Sequence, residues 1–438
     1  MIRQTIRIAA LSALLAFAAW PAHAQDSTQK GVHIGLTYQP GTKPGVVVLP
    51  VSGAWGDSVQ AIIARDLDFS DRIEIIGQPG TSAALAVQQA SDSGRNVSSG
   101  LWKTLGAAAV VQANMTPTGV HFVLQDVAAG RQAQAADAAL PTPQGSAAWR
   151  LAVHQVSDEI ERWITGTRGI AATRVLYVND SRIYLIDSDG ADVRAITSGA
   201  TALSPAWDSD GRHIAYSQFD EQGTRVMVGD LVTGQARTLA TGGLNITPTF
   251  SPDGKSIVYA HGKENGTDLM LADPFSNRPA TQITVGRGTD NVSPSFSPDG
   301  RRIAFTSGRA GHPEVYVVDA DGSNAELLTP FNFGDQNYRS NPDWSPDGRQ
   351  VAFQSRINGE FQIMTITLRD RSVKQLTSEG RNEDPSWAPD GRHLVFTSTR
   401  TGAKELFVLD VESGRVRQLT HSGGSRLAAW SPMLGRAP

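Results

Sequence analysis

Acidic residues with regular spacing are the first candidates for chemistry in this 438-residue chain. Asp187-Ser-Asp189-Gly190 and Asp319-Ala-Asp321-Gly322 open like calcium loops, in which alternate oxygens converge on a hard cation. Both lack the third acidic position and the distal Glu, so they read as hairpin turns. The recurrent Ser-Pro-Asp-Gly has Asp and Gly adjacent and its aromatic ahead of it, unlike a sialidase Asp-box. The nine histidines show neither His-x-His nor His-Glu-x-x-His spacing, and there is no cysteine to supply a thiolate ligand or a disulfide. A Gly-x-Ser-x-Gly elbow, a GxGxxG turn and a Walker loop are all missing. The expectation is a chain without a cofactor, a metal or a catalytic centre.

Binding is the chemistry that remains. Four polar stretches precede regularly spaced prolines: Asn245 and Thr247; Asp290 and Asn291; Tyr338, Arg339 and Asn341; Arg381, Asn382, Glu383 and Asp384. Convergent amide, guanidinium and carboxylate groups on a rigid scaffold suit the reading of another protein's loops. A formal net charge of −4 with no block of Lys or Arg argues against nucleic acid or an anionic membrane as partner.

The scaffold that must hold these loops is written as a repeat. Trp207-Asp-Ser-Asp-Gly211, Phe250-Ser-Pro-Asp-Gly254, Phe296-Ser-Pro-Asp-Gly300, Trp344-Ser-Pro-Asp-Gly348 and Trp387-Ala-Pro-Asp-Gly391 are one unit, with glycines 43, 46, 48 and 43 residues apart. Each has a proline two residues before its aromatic: Pro205, Pro248, Pro294, Pro342 and Pro385. Pro presets φ, Asp bonds its own backbone two residues on, and Gly accepts positive φ, so the unit is a turn between two strands. Further runs such as Glu314–Val318 and endings such as Leu328-Thr329 complete four antiparallel strands per unit, which is a propeller blade. The second half of the unit occurs six times, starting at Arg182–Ile186, and the complete aromatic turn five times. The missing strand is found around Ala428–Trp430. It should complete the blade formed by 174–179, 182–187 and 193–197, closing the ring without a free edge. An open solenoid would need capping repeats instead.

The rest of the chain divides in front of this array. Residues 1–24, with Arg3, Arg7, an apolar run and Ala22-His23-Ala24, read as a secretory signal, and the mature chain is expected to be periplasmic. Residues 25–44 form an arm whose alternating Val32, Ile34, Leu36 and Tyr38 suit either an edge strand or a strand added to a partner's sheet. Residues 45–168 suggest a small α/β domain, with strands at 46–49, 73–76, 107–112 and 120–125 and helices at 58–69 and 144–165. A short linker leads to residues 173–438. The predicted fold is an all-β six-bladed β-propeller plus a small N-terminal α/β domain, and a monomer is expected.

This order of leader, α/β domain and Pro-x-aromatic-Ser-Pro-Asp-Gly repeats resembles the TolB family, the periplasmic components of Tol–Pal systems. Val46-Val-Val-Leu-Pro50, Leu101-Trp-Lys-Thr-Leu-Gly106, Val156-Ser-Asp-Glu-Ile160 and Ala429-Trp-Ser-Pro432 extend the likeness along the chain. The resemblance implies a non-catalytic scaffold that binds the lipoprotein Pal through the polar rim and TolA through the N-terminal arm, in support of outer-membrane integrity and cell division. By the same resemblance the rim residues named above are Pal contacts, and Val32, Ile34, Leu36 and Tyr38 belong to the TolA-binding arm. Leu244 stands where well-known members carry a charged or imidazole side chain. The alternatives are a periplasmic propeller hydrolase, a glycan-binding propeller, or a TolB-like scaffold for another exported partner.

Overall fold

A computed structural model describes residues 43–77, 99–221, 223–286, 288–330 and 337–435. The predicted leader and the arm residues Val32, Ile34, Leu36 and Tyr38 lie outside these residues.

The α/β domain is built on a five-stranded sheet of order β2-β1-β3-β4-β5: β1 (Gly45–Val48), β2 (Glu74–Ile75), β3 (Ala107–Thr116), β4 (Gly119–Asp126) and β5 (Arg131–Ala139). Alternation along β1 sorts the core. Val46 and Val48 face α1 (Gly56–Phe69) and α3 (Ala147–Thr165), while Val47 and Leu49 face Trp102 of α2 (Ser99–Thr104). The predicted stripe Trp149, Val153, Val156, Ile160 and Ile164 is buried on this sheet. Each such side chain contributes about 1.5–3 kcal/mol on leaving water. Ser146 caps α3 by accepting from Trp149 N–H at 3.2 Å. Strand β5 was missed because Arg-Gln-Ala-Gln-Ala-Ala-Asp-Ala-Ala has no β-branched or aromatic residue. It forms because β4 offers an open edge along its whole length.

Six four-stranded sheets follow among the described residues. The turns behave as their sequence dictates: Ser251 Oγ donates to Asp253 Oδ1 at 2.6 Å, Lys255 N–H donates to the same oxygen, and Gly254 takes φ 69°. The same Ser–Asp bond recurs at 297/299 and 345/347. Ring closure is as predicted. The strand Arg426–Trp430 pairs antiparallel with β6 (Arg174–Asn179), placing Trp430 opposite Val175 and Ala429 opposite Leu176. Strands β7 (Arg182–Asp187) and β8 (Arg194–Ala195) complete this sixth blade. Trp430 donates its indole N–H to Thr173 Oγ1 at 2.8 Å, a second tie between the ends of the propeller.

The face that carries the Asp-Gly turns meets the α/β domain at blades five and six. Asp187 accepts Arg150 and Arg174, each at 3.0 Å, and Asp189 accepts Arg150 at 2.6 Å and Arg65. The loop with calcium-like spacing thus spends its carboxylates on Arg65 and Arg150 of the neighbouring domain and on Arg174 of its own blade. Burial would lower the pKa of His154, but Asp66 at 2.7 Å and Asp187 override it and hold the ring protonated, up to about 10. At blade five, Arg392 pairs with Asp410 and donates to Asp71 O at 3.1 Å, and Arg415 reaches Asp71 at 3.0 Å.

Candidate partner-binding site at the channel mouth

The innermost strand of every blade carries one non-glycine residue at positive φ: Ser204, Thr247, Ser293, Asn341, Asp384 and Leu427, all between 51° and 54°. Each lies at a break in register with the second strand. These are bulges, which re-aim side chains at the rims of closed sheets. Five of the six precede the repeat proline, so the sequence marks them without announcing the left-handed backbone. The conformation is costly for Thr or Leu and persists because the blade on each side fixes it.

The bulges turn their side chains toward the axis, where they bond to one another. Thr247 Oγ1 accepts from Ser293 N–H at 3.1 Å, Ser293 Oγ donates to Asn341 Oδ1 at 3.0 Å, and Asn341 Nδ2 donates to Asp384 Oδ1 at 2.5 Å. Leu427 gives no polar group to this chain of bonds. Beneath lies a second tier: Asp343 accepts from Trp387 N–H at 2.7 Å and Ser295 Oγ at 3.2 Å. The tiers and the proline rings enclose a cavity of about 330 Å³. Burial raises the carboxyls of Asp343 and Asp384 to about 6, and the Glu383 charge adds to the effect on Asp384. The wall is therefore stiff, polar and hydrogen-bonded, with two easily protonated acids.

The predicted rim residues divide into two sets. Asn245, Asn291 and Asn382 are fully buried, which corrects their expected role as partner contacts. Asn245 Nδ2 donates to Thr224 O and Gly242 O, Asn291 Nδ2 to Thr267 O, and Asn382 Nδ2 to Gln362 Oε1 and Glu379 O. A buried amide that satisfies loop carbonyls is a structural pin, and one sequence position serves this role in three blades. Arg339, at the equivalent place in blade four, bonds Glu314 at 3.1 Å and Pro330 O at 2.5 Å. Its guanidinium is largely spent on Glu314 of the third blade and on the loop that leads into its own strand.

Asp290, Tyr338 and Arg381 are exposed, Thr247, Asn341 and Asp384 are half-buried and open on the channel, and Glu383 is half-buried beside them. Tyr338 meets Phe361 edge-on with ring centroids 5.2 Å apart, and the Arg381 guanidinium lies 5.1 Å from the same Phe361 ring. Arg381 also bonds Glu383 at 2.7 Å, and Glu383 bonds Lys404 at 3.2 Å. Blades four and five thus present an aromatic and charged platform beside the mouth.

Phe361 and Lys404 belong to this platform and were not foreseen, nor was a pair of slotted arginines. Arg309 lies over Phe305 and Tyr316, bonding Ser307 Oγ and Asn291 Oδ1; Arg400 lies over Phe396 and Phe407, bonding Ser398 Oγ and Asn382 Oδ1. Neither has a carboxylate within ion-pairing distance among the described residues. The signal was present in Phe305-Thr-Ser-Gly-Arg309 and Phe396-Thr-Ser-Thr-Arg400, a repeat that closes the second strand instead of opening the first.

Comparison with known proteins decides which propeller this is. A family model described as the TolB beta propeller domain matches residues 161–434. The chain belongs to the TolB propeller family. A curated relative named Tol-Pal system protein TolB, from Methylococcus capsulatus, is 33% identical over 205 residues, 43% of this chain and 46% of that protein. Another of the same name, from Actinobacillus succinogenes, is 29% identical over 241 residues, covering 52% and 54%. The chain spans about half the length of these relatives in the matches. The crystal structure of TolB from Acinetobacter baumannii superposes with a TM-score of 0.74 at 26% identity, over 89% of this chain and 97% of that one. Both the α/β domain and the closed ring are therefore shared with a TolB structure. Among the described residues, no helix is long and apolar enough to cross a membrane.

Proposed function

We propose that this chain is a non-catalytic periplasmic scaffold of a Tol–Pal system, which grips the lipoprotein Pal at the channel mouth and engages TolA through its N-terminal arm. In that role it supports outer-membrane integrity and cell division. The observation that carries the reading is the membership of the TolB family together with a mouth whose wall is pinned in place. The bulge ring and the buried asparagines pre-order the loops, so a partner meets a surface that loses little entropy on binding. Tyr338, Phe361 and Arg381 have the composition of an interface anchor, aromatic rings beside an arginine. The arm residues Val32, Ile34, Leu36 and Tyr38 are proposed to add to TolA as a strand.

Retention of purified Pal on the immobilised chain tests the reading. The double variant Tyr338→Ala/Arg381→Ala should weaken retention about tenfold or more, as removal of anchor residues does. Deleting residues 25–38 should abolish TolA capture and leave Pal retention intact. A wild-type chain that holds no Pal, or that turns over peptide or glycan substrates, refutes the scaffold reading in favour of a hydrolytic or glycan-binding propeller.

A further inference from the structure

The linker between the two domains is gripped by two buried acids. Asp158, on α3, is fully buried and accepts from Ala171 N–H at 2.7 Å through Oδ1 and from Ala172 N–H at 3.2 Å through Oδ2. Glu161, one turn on and 3% exposed, faces the same segment. Gly169 shows how close the three are: a methyl group on its Cα would collide with both Asp158 Oδ1 and Glu161 Oε2. On its other side the linker is held by the propeller. Ser188 Oγ donates to Ala171 O at 2.7 Å, Ser188 N–H to Thr173 O at 3.1 Å, and Leu434 N–H to Ala172 O at 3.2 Å. Residues 169–173 are thus the strap through which α3 holds the ring.

The surroundings decide what the acids do there. Asp158 faces Asp66 of α1, whose charge is shared with His154 and Ser157. Glu161 bonds Arg72 at 3.1 Å and faces Asp390 and His393 of the fifth blade. A small cavity beside the linker is lined by Asp66, Glu161 and Ser188, and by Arg417 of the outer strand Val416–Gln418. Arg417 bonds Ser188 O at 3.2 Å and lies over Phe69.

We infer that Asp158 and Glu161 form a proton-operated clasp on the interdomain linker, closed when the pair holds a proton and loosened when both acids are charged. With Glu161 neutral, Asp158 alone carries charge beside Gly169 and still accepts from the two linker amides. With both ionised, two like charges flank Gly169 in a site with little water to screen them.

Burial is the main cause of a raised pKa for each, to about 7. For Asp158, the two linker amides oppose the rise, and the smaller effects of the Asp66 and Glu161 charges assist it. For Glu161, Arg72 opposes the rise and Asp390 assists it. An acid whose pKa is raised by folding stabilises the folded state fully below its unfolded value near 4 and loses that contribution as pH climbs through about 7. The clasp therefore opens on going from mildly acidic to mildly alkaline solution.

Hydrogen–deuterium exchange of the peptide covering residues 166–173, corrected for the intrinsic pH dependence of exchange, tests the clasp on the full chain. Protection of the linker amides should fall about tenfold between pH 6 and pH 8, as the pair gives up its one proton. Glu161→Gln and Asp158→Asn should each largely remove the fall, whereas Glu159→Gln, on the same helix and paired with Arg162, should retain it. Equal protection of the wild-type linker at pH 6 and pH 8 overturns the inference without recourse to any variant. An undiminished fall in Glu161→Gln overturns it as well.

Discussion

Trp430→Phe isolates one hydrogen bond at the seam of the ring. Blades two and three already carry Phe250 and Phe296 where the other four carry Trp207, Trp344, Trp387 and Trp430, so a phenyl ring suits this position. What differs is the indole N–H. That of Trp430 donates to Thr173 Oγ1 at 2.8 Å, whereas those of Trp344 and Trp387 are buried with no acceptor among the described residues. All three tryptophans are about 5% exposed, so the loss of ring area is nearly the same for each. Losing a net hydrogen bond costs about 0.5–1.5 kcal/mol, and removing an unsatisfied buried donor recovers about 1–3 kcal/mol. Trp430→Phe should therefore be less stable than Trp344→Phe and Trp387→Phe by about 1.5–4.5 kcal/mol. Urea unfolding followed by far-UV circular dichroism, with the denaturant slope checked for constancy, gives the three values on one scale. Three variants within about 0.5 kcal/mol of one another would refute the claim that the seam has its own bond.

Other outcomes follow from the same geometry. Arg150→Ala should cost about 3 kcal/mol or more, because Asp187 and Asp189 are left buried with fewer positive partners; thermal unfolding of the full chain measures it. Asn382→Ala should lower stability by about 2 kcal/mol, since it removes a buried amide that ties Gln362 Oε1 to the loop carbonyls of Glu379 and Gly380, while changing partner retention no more than that loss of fold explains. Asp343→Asn should flatten the dependence of stability on pH. The raised carboxyl of Asp343 stabilises the wild type at pH 4 and ceases to do so as pH rises through about 6, so unfolding at pH 4 and pH 7 compares the two chains directly.

Most of the ring was legible because its turns use residues with strong local physics. Pro, Asp and Gly recur at fixed offsets, and the count of half-units placed the seam at Trp430. What could not be read was orientation. Asn245, Asn291 and Asn382 look like surface residues by type, yet they turn inward to pair loop carbonyls, because the left-handed residue two places on reverses the strand's usual alternation. Arg309 and Arg400 were missed for a related reason. Their slots are made by aromatic residues from two strands, a contact that depends on register across the blade. Strand β5 lacked β propensity altogether and exists through its neighbour. The acids at the domain junction gave no signal either. Asp158 and Glu161 sit on the apparently polar side of an amphipathic helix, and the return of the linker and the fifth blade over that side buries them.

A ring sealed by its last strand also sets a timetable. Val175 finds its partner only when Trp430 exists, so a growing chain must leave an unpaired strand edge waiting through the synthesis of five whole blades. Contacts so distant along the chain close late and slowly. A ribosome that has not yet released Arg426–Trp430 has released no finished propeller, and that strand acts as the latch whose arrival lets the rest set.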